Sequence, residues 1–161
     1  MIVVADTSPL NYLIKIDCAT LLLKLYSSII VPSAVLEELS SDDAPPEVRL
    51  WAMQLPDWVQ RIALDSKPDP ELAYLDAGER EAIQIAYEQG ADLLLIDERR
   101  GWSEAIRRGL AVTGTLGVLL NAGRQGIADP EALFRRLLKE TNFRISPGLE
   151  EEFLRRARSL F

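Results

Sequence analysis

The chain has 161 residues, 48% hydrophobic and 27% charged, the size and balance of one globular domain with a full core. With no His and a single cysteine, Cys18, it has no imidazole base, thiolate cluster or disulfide; zinc sites and Ser-His-Asp triads are excluded, and a resident metal must be a hard cation such as Mg²⁺ or Mn²⁺ on oxygen ligands. The formal charge of −7 argues against a broad basic face for duplex nucleic acid, and no apolar run approaches the roughly 20 residues of a membrane helix.

Residues 2–5 form a short apolar run before Asp-Thr-Ser-Pro, the pattern of a buried parallel strand running into a helix start, with Ser8 read as the N-cap and Pro9 as the first helical residue. Helices are expected over 10–16 and 19–26, a second buried strand over 28–31, and a third helix from about Ser33. Residues 42–46 break that helix, a short one follows over 47–54, residues 58–63 alternate like a strand, and 65–70 form a loop. A helix runs from Asp76 to about Gln89, where Gly90 stops it. Residues 93–96 are the clearest strand, followed by a helix over 102–108, a fifth strand over 110–113, and helices over 115–123, 130–140 and 147–160. Strands alternating with helices on short connections indicate an α/β domain with an open parallel sheet covered on both faces, one domain over 1–161. Nothing at the N-terminus resembles a secretory signal, so a cytoplasmic protein without membrane attachment is expected.

In such sheets ligands bind beyond the C-terminal strand ends where strand order reverses, so the chemistry is sought just after strands and in the helix turns that follow. Asp6 follows the first strand and Asp97 the fourth; if those strands are neighbours, the two carboxylates come within metal-bridging reach. With Ser8 assigned as the cap, Asp6 has no obvious structural task, whereas Asp97 also fits a helix-dipole role. Glu79 shares a helical stripe with Ala82, Ile83 and Ala86, although a capping box with Asp76 accounts for both acids without a metal. Glu38 lies between Val35 and Leu39 on the apolar side of its helix, and Glu37 nearer the outer face. Four carboxylates around one pocket can hold one or two divalent ions, which position and acidify a water and stabilise phosphoryl charge without any His. Glu81 and Glu98 read as solvated or supporting acids. The arginine groups read mostly as solvated helix faces, and Trp51, Trp58 and Trp102 mainly as packing, although each indole is also able to stack on a base.

Residues 3–10, Val-Val-Ala-Asp-Thr-Ser-Pro-Leu, resemble the opening motif of PIN-domain proteins, the fold of VapC-type toxin ribonucleases. Residues 31–39 resemble the second motif, whose acid precedes Leu and falls on Glu38; 78–86 resemble the third, with Glu79 at its acidic position; and 94–101 resemble the fourth, with Asp97. The segment 112–119 is similar to one in a bacterial and archaeal branch of these proteins. The resemblance spans nearly the whole chain. It implies a three-layer fold with a central five-stranded sheet of order 3-2-1-4-5, Mg²⁺- or Mn²⁺-dependent hydrolysis of RNA, an antitoxin protein as partner and a homodimer. In that reading Asp6, Glu38, Glu79 and Asp97 are the catalytic metal ligands, supported by Thr7, Ser8, Glu98 and Thr115. The sequence departs from the better-known toxins in having Glu79 where Asp is usual, Glu98 after Asp97, and Trp102 where this branch often has Arg.

Two other readings compete. A catalytically silent PIN-like interaction module would keep the acids and act by pairing with a partner. A phosphotransfer domain with a strand-end Asp nucleophile explains neither Glu38 nor Glu79, and Ser8 stands where a phosphatase of that kind needs its second Asp. The segment 114–117, Gly-Thr-Leu-Gly, lacks the lysine of a phosphate-binding P-loop.

Overall fold

A computed structural model describes residues 1–160; the final residue of the single domain read over 1–161 lies outside the described residues. Five strands, β1 (Val3–Ala5), β2 (Ile29–Pro32), β3 (Val59–Ile62), β4 (Leu93–Leu95) and β5 (Val112–Thr113), form one parallel sheet of order β3-β2-β1-β4-β5. Among the described residues nine helices surround it: α1 (Thr7–Lys15), α2 (Thr20–Tyr26), α3 (Ser33–Leu39), α4 (Pro46–Met53), α5 (Ala77–Glu88), α6 (Arg99–Arg107), α7 (Thr115–Arg124), α8 (Pro130–Glu140) and α9 (Pro147–Arg158). This is the α/β architecture and strand order expected from the sequence.

The period-two alternation of strand side chains divides the core. Val3, Ala5, Ile29, Val31 and Leu95 face the larger layer with α1, α2, α7, α8 and α9. Val4, Ile30, Leu94 and Ile96 face Ala82, Ile83 and Ala86 of α5 and Ala105 of α6. All three residues of β1 are buried, and the strand runs between β2, with Val4 opposite Ile30, and β4, with Ala5 opposite Leu95. The chain winds outward from β1 to β3 and returns beside β1 as β4, so the switch point lies where Asp6 and Asp97 emerge.

Several boundaries correct the sequence reading. Helix α1 begins at Thr7, with Asp6 rather than Ser8 in the N-cap position. Proline is tolerated throughout a first turn, whose N–H groups have no intrahelical acceptor, so Pro9 fits as the third helical residue and does not mark the first. Helix α6 starts at Arg99, three residues before the expected Trp102, because the apolar period is hidden by Arg-Arg-Gly in its first turn. The expected loop after Asp65 ends in a 3₁₀ turn, Pro70–Leu72, capped by Asp69. Gly90 and Gly109 both have positive φ, +61° and +82°, as helix-ending glycines require. Among the described residues no helix is long and apolar enough to cross a membrane.

Candidate active site

Asp6 is the centre of the site. Its backbone N–H donates to the Leu95 carbonyl at 2.9 Å, continuing the β1–β4 ladder, and its side chain is 3% exposed. Although it occupies the N-cap position of α1, its side chain caps nothing, and among the described residues Oδ1 is buried with no hydrogen-bond partner. A buried carboxylate oxygen without a donor is costly. Burial is the main cause that lifts the Asp6 carboxyl from 3.8 to about 7; the Thr7 backbone N–H opposes the rise, and the charges of Asp76, Glu38 and Asp97 add to it.

Asp97 is partly buried one strand away. Its Oδ1 accepts the backbone N–H of Thr115 at 2.8 Å and its Oδ2 the Thr115 hydroxyl at 2.6 Å. The helix it serves is therefore α7, not the α6 that follows it in sequence, and Thr115, whose helix has Gly114 at the N-cap, orients Asp97 rather than capping. Burial raises the Asp97 carboxyl, against the two Thr115 bonds.

Glu38 comes from α3. Its Oε2 accepts the Thr7 hydroxyl at 2.8 Å and its Oε1 the Gly78 N–H at 3.1 Å, while Glu37 is solvent-exposed. Glu81 of α5 fixes the same helix, its Oε1 accepting the Ala34 N–H at 3.1 Å. This role for Glu81 was not legible in the sequence, because it links two helices 47 residues apart.

Glu79 is 7% exposed in the first turn of α5. Burial leads the causes that push it from 4.5 to about 8, followed by the adjacent Asp76 and then Asp6 and Glu98. Asp76 Oδ1 accepts the Glu79 N–H at 3.0 Å, so the capping reading holds for Asp76 without accounting for the buried Glu79 carboxylate. Asp76 is thus a fifth acid at the site, and the capping signature was the signal for it. Glu98 is exposed at the N-cap position of α6, and Ser8 is the second residue of α1.

Three glycines complete the geometry. A Cβ on Gly101 would lie 2.7 Å from Glu79 Oε2, one on Gly114 2.6 Å from Asp97 Oδ1, and one on Gly78 2.7 Å from Glu38 Oε1. Glu38, Glu79 and Asp97 therefore each pack against backbone that only glycine leaves bare. Gly114 has ordinary extended backbone, so its requirement is space rather than conformation.

Several arginines are paired with acids: Arg135 and Arg158 with Glu131, Arg136 with Glu140, Arg156 with Glu152, and Arg107 and Arg108 with Glu104. None of these pairs involves Asp6, Glu38, Glu79 or Asp97. The site is a group of oxygen ligands in which the carboxyls of Asp6, Glu79 and Asp97 are raised and one buried oxygen is orphaned, a donor set whose chemistry fits a hard divalent cation. Among the described residues no three acids stand close enough to enclose an ion as they lie.

Comparison with known proteins agrees with this fold. A solved PilT N-terminus domain protein from the hyperthermophilic archaeon Sulfolobus solfataricus P2 shares the fold at 17% identity and a TM-score of 0.50, over 90% of this chain and 100% of that one. No curated protein sequence matches. The family described as PIN domain matches residues 2–159, and the chain belongs to that family, whose members are in general nucleases that typically use divalent metals.

Proposed function

We propose that this PIN domain is a Mg²⁺- or Mn²⁺-dependent endoribonuclease, with Asp6, Glu38, Glu79 and Asp97 as the ligand set. The observation that carries the reading is the buried Asp6 carboxylate with its unpartnered Oδ1, at the switch point of the sheet and among other acids. A bound divalent ion would supply an acidified, positioned water and a counter-charge for the phosphoryl oxygens.

The chain's own residues set up that chemistry. Asp6 and Asp97 project from adjacent strands as fixed points, Asp97 held at both oxygens by Thr115. Glu38 and Glu79 come from α3 and α5, and their longer side chains would have to turn inward for all four acids to share an ion. A carboxylate offers about four lone-pair directions, so the donors already on Glu38 and Asp97 leave sites for a cation. The raised Asp6 and Glu79 carboxyls mean that cation binding at neutral pH displaces protons.

The toxin role, an antitoxin protein partner, a homodimer and a cytoplasmic setting are proposed with this activity on the strength of the sequence resemblance. One observation favours the silent interaction module: Glu38 and Asp97 have both oxygens satisfied internally, and no three acids converge among the described residues. The deciding experiment incubates the purified protein with a panel of single-stranded and structured RNAs in Mg²⁺, Mn²⁺ or EDTA. Cleavage that requires metal is expected; no cleavage together with no Mn²⁺ binding selects the interaction module.

A further inference from the structure

A cavity of about 630 Å³ opens beside Asp97, within the roughly 300–1,000 Å³ range of small-ligand sites. Trp102 of α6 forms one wall, and Phe143 and Phe153 contribute others. Asp97 Oδ1 and the Trp102 ring atom Cζ3 lie 2.6 and 3.6 Å from the point where a side chain on Gly114 would begin, so indole and carboxylate flank the same bare stretch of backbone. Phe143 is braced edge-on by Tyr12, at 5.1 Å between ring centroids and an interplanar angle of 84°. Arg99 and Arg156 also line the cavity. Arg99 makes no ion pair or hydrogen bond among the described residues, whereas Arg156 is tied to Glu152 at 2.8 Å, which offsets the acid on that wall.

We propose that this cavity is a subsite for one unpaired nucleobase of the RNA, stacked on Trp102, with Arg99 and Arg156 on the flanking phosphates. The inference rests on the nuclease reading and deepens it by assigning Trp102 as the residue that positions a base of the substrate beside Asp97. Every base has a face that stacks on an aromatic ring, and such stacking tolerates sequence while arginines track the backbone. An acidic chain needs cations of this local kind to hold RNA at all. A base inside a duplex is already stacked and does not reach the Trp102 ring without flipping. Its position next to Asp97 places the neighbouring phosphate at the acids. An amphipathic peptide would use the apolar walls equally well, but it has less use for two guanidinium groups beside a carboxylate pocket.

The test uses Asp6→Asn protein with Mn²⁺, so that RNA is bound and not cut, and follows the anisotropy of a labelled single-stranded oligoribonucleotide and of a blunt duplex. The single strand is expected to bind more tightly than the duplex. Trp102→Ala should weaken it roughly ten- to a hundredfold, and Trp102→Phe, which keeps an aromatic face, should retain most of the affinity. Equal binding by Trp102 and Trp102→Ala proteins, or no preference for the single strand, overturns the subsite. Because binding is read apart from cleavage, a Trp102-dependent binder whose parent cuts no RNA refutes the nuclease reading alone. A parent that cuts with metal while Trp102→Ala binds unchanged refutes the subsite alone.

Discussion

Glu79 and Glu104 are both buried glutamates, 7% and 5% exposed, on neighbouring helices of the same layer, yet their carboxyls move in opposite directions. Glu104 accepts from Arg107 at 2.6 Å, from Arg108 at 3.1 Å and from the Tyr74 hydroxyl at 3.1 Å, and these partners, Arg107 first, hold it down to about 2. Arg108 continues to Asp69 at 2.8 Å, so the cluster ties α6 to the segment that leads into α5. Glu79 is pushed up to about 8 by burial first and then by its acidic neighbours Asp76, Asp6 and Glu98. Equal exposure thus separates a carboxylate whose cations are built into the chain from one whose charged neighbours are acids. Perturbed acids of the second kind concentrate at functional sites.

The largest predicted effect falls on the unpartnered side of this contrast. Asp6→Asn or Asp97→Asn should cut metal-dependent RNA cleavage by more than the roughly 10–100-fold that losing a supporting residue costs. Wild-type activity in both would erase the distinction between the two clusters. Gly101→Ala and Gly114→Ala should each lower cleavage by about 10–100-fold, because the added methyl meets Glu79 Oε2 or Asp97 Oδ1; thermal melting should change little for Gly114→Ala, where the carboxylate swings aside, and fall for Gly101→Ala, whose methyl also meets the buried Ile96 Cδ1 at 2.7 Å. Unchanged activity in both would show that these acids do not need their present positions.

Stability against pH sharpens the comparison further. For Asp6 the folded carboxyl is raised from 3.8 to about 7, so the native state binds more protons across that window and the metal-free protein should lose stability as pH rises through it, levelling above. Metal-free Asp6→Asn should accordingly be more stable than wild type at pH 8 by on the order of 1 kcal/mol, about 2–4 °C in Tm. Glu104 has the opposite sign: its folded carboxyl lies near 2 instead of 4.5, so its contribution is complete above 4.5 and is lost as pH falls toward 2. The smallest effect on chemistry is expected for Glu104→Gln, which should cost about 1–2 kcal/mol in denaturant unfolding and leave cleavage near wild type. A stable protein that has lost cleavage would place Glu104 in the catalytic machinery.

Strand positions and helix count were legible because they depend on local pattern, apolar runs marking the strands; the strand order was implied by the motif resemblance, and Asp6 and Asp97 were singled out because each lies just past the end of an apolar run. What escaped depends on approach between segments distant in sequence. Gly101 and Gly114 are unremarkable until α6 and α7 bring them against Glu79 and Asp97, and Glu81 looks solvated until α3 arrives at its carboxylate. The misplaced cap at Ser8 has a different origin, since a proline fits several first-turn positions and the sequence alone does not choose among them. Asp6, relieved of neither burial nor its orphaned oxygen by the corrected cap position, stands out more sharply in the structure than in the sequence.

The most direct measurement is calorimetric titration of Mn²⁺ into wild-type and Asp6→Asn protein near pH 7. The account predicts saturable binding to wild type with release of protons, and binding lost or strongly weakened in the variant; equal Mn²⁺ affinity in the two proteins, or none in wild type, would contradict it.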